Sequence, residues 1–183
     1  MTDSTLHQGR PENVSGRLDT EIHVYDFLDK LGIPYTQLDH AQADTMEACR
    51  AVDAALEVTM CKNLFLCNRQ KTNFYLLLMP GDKPFKTKEI SAQIGSARLS
   101  FADAEAMEKY LSIQPGAVSV MGLMNDKDNH VVLLIDEDIL KDEYLGCHPC
   151  VNTASLKIKT ADILEKFLPA VKHTYQTVKL IGE

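Results

Sequence analysis

Two dense apolar runs across a short polar gap constrain this chain most. Residues 59–67 (TMCKNLFLC) and 73–79 (NFYLLLM) are apolar and aromatic, and 68–72 between them is polar. That pattern reads as a β-hairpin in the protein's core, and Pro80-Gly81-Asp82 breaks it. Other elements fall on either side. Leu18, Ile22, Tyr25, Leu28 and Leu31 recur at helical spacing, so 18–31 is an amphipathic helix stopped by Gly32 and Pro34. A short strand follows at 35–39, then a helix at 45–56 with Thr45 as its N-cap. Past the hairpin, 87–94 and 101–111 read as short helices, the second opened by Ser100 or Asp103. Residues 118–121 and 130–135 look like paired strands around a turn at 125–129. A helical turn at 136–141, a strand at 152–158, a helix at 161–168 ended by Pro169 and an edge strand at 174–181 complete the pattern. Helices and strands interleave without a strict βαβ rhythm, which predicts an α+β protein with a mixed β-sheet flanked by helices.

A length of 183 residues fits one domain with a sizeable core. The polar stretch 1–16 reads as a flexible lead-in and 17–183 as the domain. No apolar run approaches the roughly 20 residues of a membrane span. The N-terminus lacks the apolar stretch of a signal peptide, so a cytoplasmic location and no membrane partner are expected. Five cysteines, an odd number, fit reduced thiols better than a disulfide framework.

Net charge is −7, which argues against indiscriminate nucleic-acid binding, DNA included. The charge is unevenly spread: 62–98 carries 7 basic and 2 acidic groups, whereas 1–61 carries 4 and 11 and 99–183 carries 8 and 13. Lys83, Lys86, Lys88 and Arg98 could form a local basic face toward a phosphate backbone, or simply a solvated lysine-rich loop.

Single motifs are individually weak. Cys147-His148-Pro149-Cys150 is a CxxC, but the following Val151-Asn152-Thr153 reads extended, not as the helix start a redox pair needs. A zinc site would want two further ligands at matched spacing. No GxGxxG, GxxxxGK[ST] or GxSxG occurs. Lys62 lies in an otherwise apolar strand, in phase with Met60, Leu64 and Leu66. A lysine there either snorkels or lines a cleft. His148 precedes a proline and is biased toward extended backbone. Pro115-Gly116 marks a turn in which a glycine lets backbone N–H groups approach a ligand.

Taken together these segments resemble one family. Lys62-Asn63-Leu64-Phe65-Leu66, Ala97-Arg98-Leu99-Ser100-Phe101-Ala102, Pro115-Gly116-Ala117-Val118-Ser119, Gly122-Leu123-Met124-Asn125-Asp126, and His148-Pro149 with Asn152-Thr153-Ala154-Ser155 stand in order over about 18–170. They resemble the YbaK/prolyl-tRNA synthetase-associated editing domain, and within it the free-standing prolyl-tRNA editing branch (ProX/PrdX). The resemblance implies a mixed, partly barrel-like sheet with helices around it. It implies a hydrolase that clears mischarged tRNA in trans, alanyl-tRNA bearing the proline tRNA above all. The alternatives are the same chemistry on cysteinyl- or another small-amino-acid tRNA, and a non-catalytic module that binds aminoacyl-tRNA or a synthetase.

By the same resemblance, Lys62, Gly116 and His148 carry catalysis. Asn63, Ala117, Val118, Ser119, Val120, Pro149 and Asn152 bind substrate. The family's GxxxP loop falls on Gly116–Val120, with Val120 where proline is usual. No cofactor and no metal are expected. The implied partners are the acceptor end of the proline tRNA and the prolyl-tRNA synthetase.

Overall fold

The computed structural model describes residues 5–43 and 45–181, with Met46 described by its backbone only. Thr5–Gln8 (β1) pairs antiparallel with Tyr35–Asp39 (β2), and helix Asp19–Leu31 (α1) lies between them in sequence. The polar lead-in, expected to be frayed, thus contributes a strand. Arg17 helps to hold it: its guanidinium donates to both oxygens of Asp39 at 2.7 Å and to Glu21 at 2.8 Å. Helix Met46–Leu56 (α2) begins at Thr45, whose hydroxyl accepts the Ala48 N–H as the sequence predicts. Cys61–Cys67 (β3) and Phe74–Pro80 (β4) form the expected antiparallel hairpin, in register from Cys61↔Pro80 to Cys67↔Phe74.

Helix Thr87–Ile94 (α3), the two-residue strand Ser100–Phe101 (β5) and helix Ala104–Leu111 (α4) follow, with Asp103 capping α4. Then come strand Val131–Asp136 (β6), the helical turn Glu137–Lys141 (α5), and strands Tyr144–Cys147 (β7) and Ala154–Lys159 (β8). Helix Thr160–Asp162 (α6) passes through a π-helical turn, Ile163–Phe167, into Leu168–Ala170 (α7), and Tyr175–Val178 (β9) closes the chain. The last helix therefore runs through Pro169 rather than stopping before it. The π turn precedes a residue that has no N–H to offer an α-helical ladder.

The strands form two sheets, ordered β1-β2-β8-β7 and β5-β3-β4-β6-β9. β6 runs parallel to both β4 and β9, and β9 is an edge as expected. Residues 118–121 are not a strand. Ser119 turns its hydroxyl onto the Met121 N–H and opens a 3-10 helix, Val120–Asn125. An unbroken apolar run does not distinguish strand from buried helix, and here the run is buried on all sides.

The central hairpin reads as continuous hydrophobicity because its sheet is covered on both faces. Phe74, Leu76 and Leu78 point into the main core, with Phe65, Leu133, Ile135, Leu156, Ile158 and the α1 residues Val24, Tyr25 and Leu28. Leu77 and Met79 point the other way, to Ile90 of α3, Leu99, Leu134 and Val178. Truncating one such leucine to alanine costs about 2–5 kcal/mol. A third, smaller cluster joins Leu38 of β2 to Val52 and Leu56, so α2 packs on the four-stranded sheet. Beside the main core, which both sheets share, a bridge between Met60 and Gly146 joins the two sheets at a seam. The approach at Gly146 is tight: a Cβ would lie 2.6 Å from the Met60 sulfur, which could shift, and 3.2 Å from the Met60 Cα, which is backbone. Among the described residues no helix is long and apolar enough to cross a membrane.

Candidate functional site

The seam between the sheets opens into a cavity of about 500 Å³, a usual size for a small-molecule site. Its walls come from segments far apart in sequence. β2 ends at Asp39 and delivers His40, α2 delivers Arg50 and Asp53, the start of β3 delivers Cys61 and Lys62, and the turn after β4 delivers Asp82. Gly116, His148, Asn152 and Ser155 close it. A larger polar cavity, about 750 Å³, lies beside the N-terminal strand. Both arginines there are already paired, Arg10 with Asp26 and Asp29, and Arg17 with Asp39 and Glu21. The chemistry collects in the smaller one.

Lys62 sits at the first turn of pairing in β3, where the strand emerges from the core. Its ammonium donates to the Lys83 carbonyl at 2.7 Å, leaving two of its three protons for a ligand. Gly116 occupies the third position of the turn Gln114-Pro115-Gly116-Ala117, closed by the Ala117 N–H on the Gln114 carbonyl at 3.1 Å. Its φ of +91° is one that only glycine adopts freely. The Asn152 amide lies close against it. The turn consumes the Ala117 N–H, whereas the Gly116 N–H has no acceptor among the described residues.

His148 is held by two neighbours. Its Nδ1 lies 2.9 Å from the Ala154 carbonyl and 3.4 Å from Ser155 Oγ. A carbonyl can only accept, so Nδ1 carries the proton and Nε2 keeps a lone pair. Burial lowers the His148 pKa from 6.5, against the pull of the Ala154 carbonyl, and nearby His40 lowers it further. The ring is therefore neutral at pH 7. His40 uses the same logic: Nδ1 donates to the Ala41 carbonyl at 2.7 Å, and Nε2 accepts from Ser155 Oγ at 2.8 Å. Ser155 is wholly buried and joins the two imidazoles.

Of the residues singled out from sequence, Lys62, Gly116, His148 and Asn152 line the cavity together. The others lie behind its walls. Asn63 is not part of its lining: its amide nitrogen is on the Cys61 carbonyl, and its oxygen is buried without a partner among the described residues. Ala117 and Val120 are buried in the main core, and Val118 packs against it. Ser119 donates to the His148 carbonyl at 2.6 Å, tying the Gly116 loop to the His148 segment. Pro149 is buried beside His148. Val120, where the family usually has proline, thus fills the core.

His40, Arg50 and Asp53 were not singled out from sequence, and Ser155 only as part of a segment that carries the resemblance, with no site role. His40 immediately follows a predicted strand, a signal that could have marked it. Arg50 and Asp53 look like the ordinary polar face of a helix until the cavity is seen. The basic face also changes. The Lys83 ammonium is committed to Asp136 at 2.7 Å, Asp138 at 2.9 Å and the Leu180 carbonyl at 2.7 Å, which leaves Lys86, Lys88 and Arg98 exposed. Cys147 and Cys150 are buried, and burial raises both thiols, Cys150 to about 12. Neither opens a helix, so the CxxC has no redox setting. Among the described residues no group of three or more His, Cys, Asp or Glu side chains is placed to hold a metal.

Comparison with known proteins bears on the family resemblance. Residues 40–166 match the aminoacyl-tRNA editing domain family. The chain is 31% identical to the prolyl-tRNA editing protein ProX of Acetoanaerobium sticklandii, over 89% of this chain and 99% of that one. It is 28% identical to the prolyl-tRNA synthetase associated domain-containing protein 1 of Danio rerio, over 86% and 85%. Its fold matches that of a crystallised candidate trans-editing enzyme for prolyl-tRNA synthetase, with a TM-score of 0.66 and 16% identity, over 89% of this chain and 98% of that one. The residues that carried the resemblance in the sequence lie in the segment matched by the family, and the chain belongs to the aminoacyl-tRNA editing domain family.

Proposed function

We propose that this protein deacylates mischarged tRNA in trans, with alanyl-tRNA bearing the proline tRNA as its main substrate. The observation that carries the reading is the meeting of Lys62, Gly116 and His148 in one cavity of a chain from an editing family. The name of the ProX relative supports the proline tRNA. The names of the synthetase-associated relatives make the prolyl-tRNA synthetase a natural partner in the cytoplasm.

An aminoacyl ester is already activated, so a positioned water and modest oxyanion stabilisation suffice, without a nucleophilic side chain or a metal. The Gly116 N–H receives the carbonyl oxygen as negative charge develops on it. The two free protons of Lys62 hold the terminal phosphate or the ester oxygen. The Nε2 lone pair of His148 orients the attacking water or the terminal ribose hydroxyl. Arg50, exposed and without an ion-pair partner among the described residues, stands at the cavity for a backbone phosphate. Steric exclusion rejects a larger side chain more readily than a smaller one, so a pocket closed around alanine spares prolyl-tRNA.

The test is deacylation of alanyl-, prolyl- and cysteinyl-tRNA in parallel, with Lys62→Ala as the control. Selective release of alanine, lost in Lys62→Ala while the fold is kept, is the expected result. Release of cysteine instead would move the specificity and keep the chemistry. Binding of tRNA with no ester hydrolysed would refute the deacylase and favour a binding module.

A further inference from the structure

The proposed chemistry leaves one charged group on the cavity wall unused, the carboxylate of Asp53. Asp53 lies on α2, one turn after Arg50, and both face the cavity. Its Oδ1 accepts the Met60 N–H at 3.2 Å. Oδ2 has no hydrogen-bond partner among the described residues, and neither Arg50 nor Lys62 comes within ion-pair distance. Burial raises the carboxyl above its usual range, and only the Met60 N–H opposes it. Asp82, the other carboxylate on the wall, is exposed. A partly buried carboxylate with one weak donor is an incomplete site for a cation.

An aminoacyl ester brings such a cation, the α-ammonium next to its reacting carbonyl. A peptidyl or N-acylated ester does not, because its nitrogen is a neutral amide. We propose that Asp53 receives the α-ammonium of the bound aminoacyl ester, so that the site selects aminoacyl-tRNA over N-acylated and peptidyl-tRNA. The assignment rests on the deacylase reading. It adds a specificity residue on the wall formed by α2, and a class of substrate that the site refuses. Anchoring the ammonium also limits where the carbonyl can lie, which serves the Gly116 N–H.

The experiment compares alanyl-tRNA with N-acetylalanyl-tRNA on the same proline tRNA. The wild-type protein should favour the free amine in kcat/KM by roughly tenfold or more, the scale of a charged hydrogen bond. Asp53→Asn keeps the oxygen that accepts from Met60, so its melting temperature should stay near wild type. Its kcat/KM for alanyl-tRNA should fall by about the same factor, mainly through KM, with N-acetylalanyl-tRNA unaffected. A wild-type protein with no preference overturns the assignment without any variant. So does an Asp53→Asn protein that keeps the preference, or one that loses both substrates equally, as a purely structural role would require. No hydrolysis of alanyl-, prolyl- or cysteinyl-tRNA by wild type would overturn the deacylase reading and this assignment with it.

Discussion

The Lys83–Asp136 pair allows a sharp test of what the basic middle segment does. Asp136 is fully buried, and Lys83 is partly buried. Lys83→Met removes a cation that donates to Asp136, Asp138 and the Leu180 carbonyl. Asp138 is almost half exposed and can return to water. Asp136 cannot, although its other oxygen keeps the Asp138 N–H at 3.0 Å. Stranding a buried charge costs about 3–5 kcal/mol, and the surviving bond puts the expectation near the lower end, about 3 kcal/mol. With a urea m-value of about 2 kcal/mol/M, the midpoint of unfolding should fall by about 1.5 M. In Lys83→Met/Asp136→Leu no charge is stranded, so the double variant should recover much of the loss, short of about 1 kcal/mol for the missing Asp138 cap. Deacylation per folded molecule should stay near wild type in both. Equilibrium urea unfolding followed by circular dichroism measures this. A single variant that loses under 1 kcal/mol, or a double variant no better than the single, would refute the reasoning. Lost tRNA affinity at unchanged stability would return Lys83 to the basic face.

The remaining predictions concern the cavity. Because burial lowers the His148 pKa from 6.5, its neutral form persists below that pH, so the acid limb of the kcat/KM profile should lie below 6.5 and vanish in His148→Gln. A limb at or above 6.5 counts against a neutral histidine acting here. The same shift means that the unfolded chain takes up the His148 proton first, so this group's contribution to stability is full above pH 6.5 and is lost as pH falls. Gly116→Ala places a side chain at φ +91°, which should cost about 1–2 kcal/mol, or about 2–8 °C in melting temperature, and lower kcat/KM as well; an unchanged melting scan would show that the turn relaxes. In native thiol titration Cys49, the exposed cysteine, should react at once. Cys61, raised to about 12, and buried Cys67, Cys147 and Cys150 should react only after denaturation, and a Cys147–Cys150 disulfide found in native protein by mass spectrometry would contradict this.

The local elements were legible from the sequence because local chemistry decides them. The hydroxyl of Thr45 caps its helix, Asp103 rather than Ser100 caps the helix at 104–111, Gly32 ends its helix in left-handed backbone, and the hairpin follows from two apolar runs around a polar turn. The family could be recognised because its residues stand at fixed intervals along the chain. Pairing partners were not readable. An apolar stretch such as 118–125 packs equally well as strand or buried helix, and only Ser119 turning back on Met121 selects the 3-10 helix. The parallel alignment of β6 with β4 and β9 depends on contacts distant in sequence. The tertiary structure alone could assign the charged groups. It turns Lys83 inward to Asp136, spends one proton of Lys62 on a carbonyl, ties His148 to His40 through Ser155, and leaves Asp53 on the cavity wall without a cation. Charge and residue type are written in sequence, but what a charged group does depends on which partner and how much water the fold places beside it.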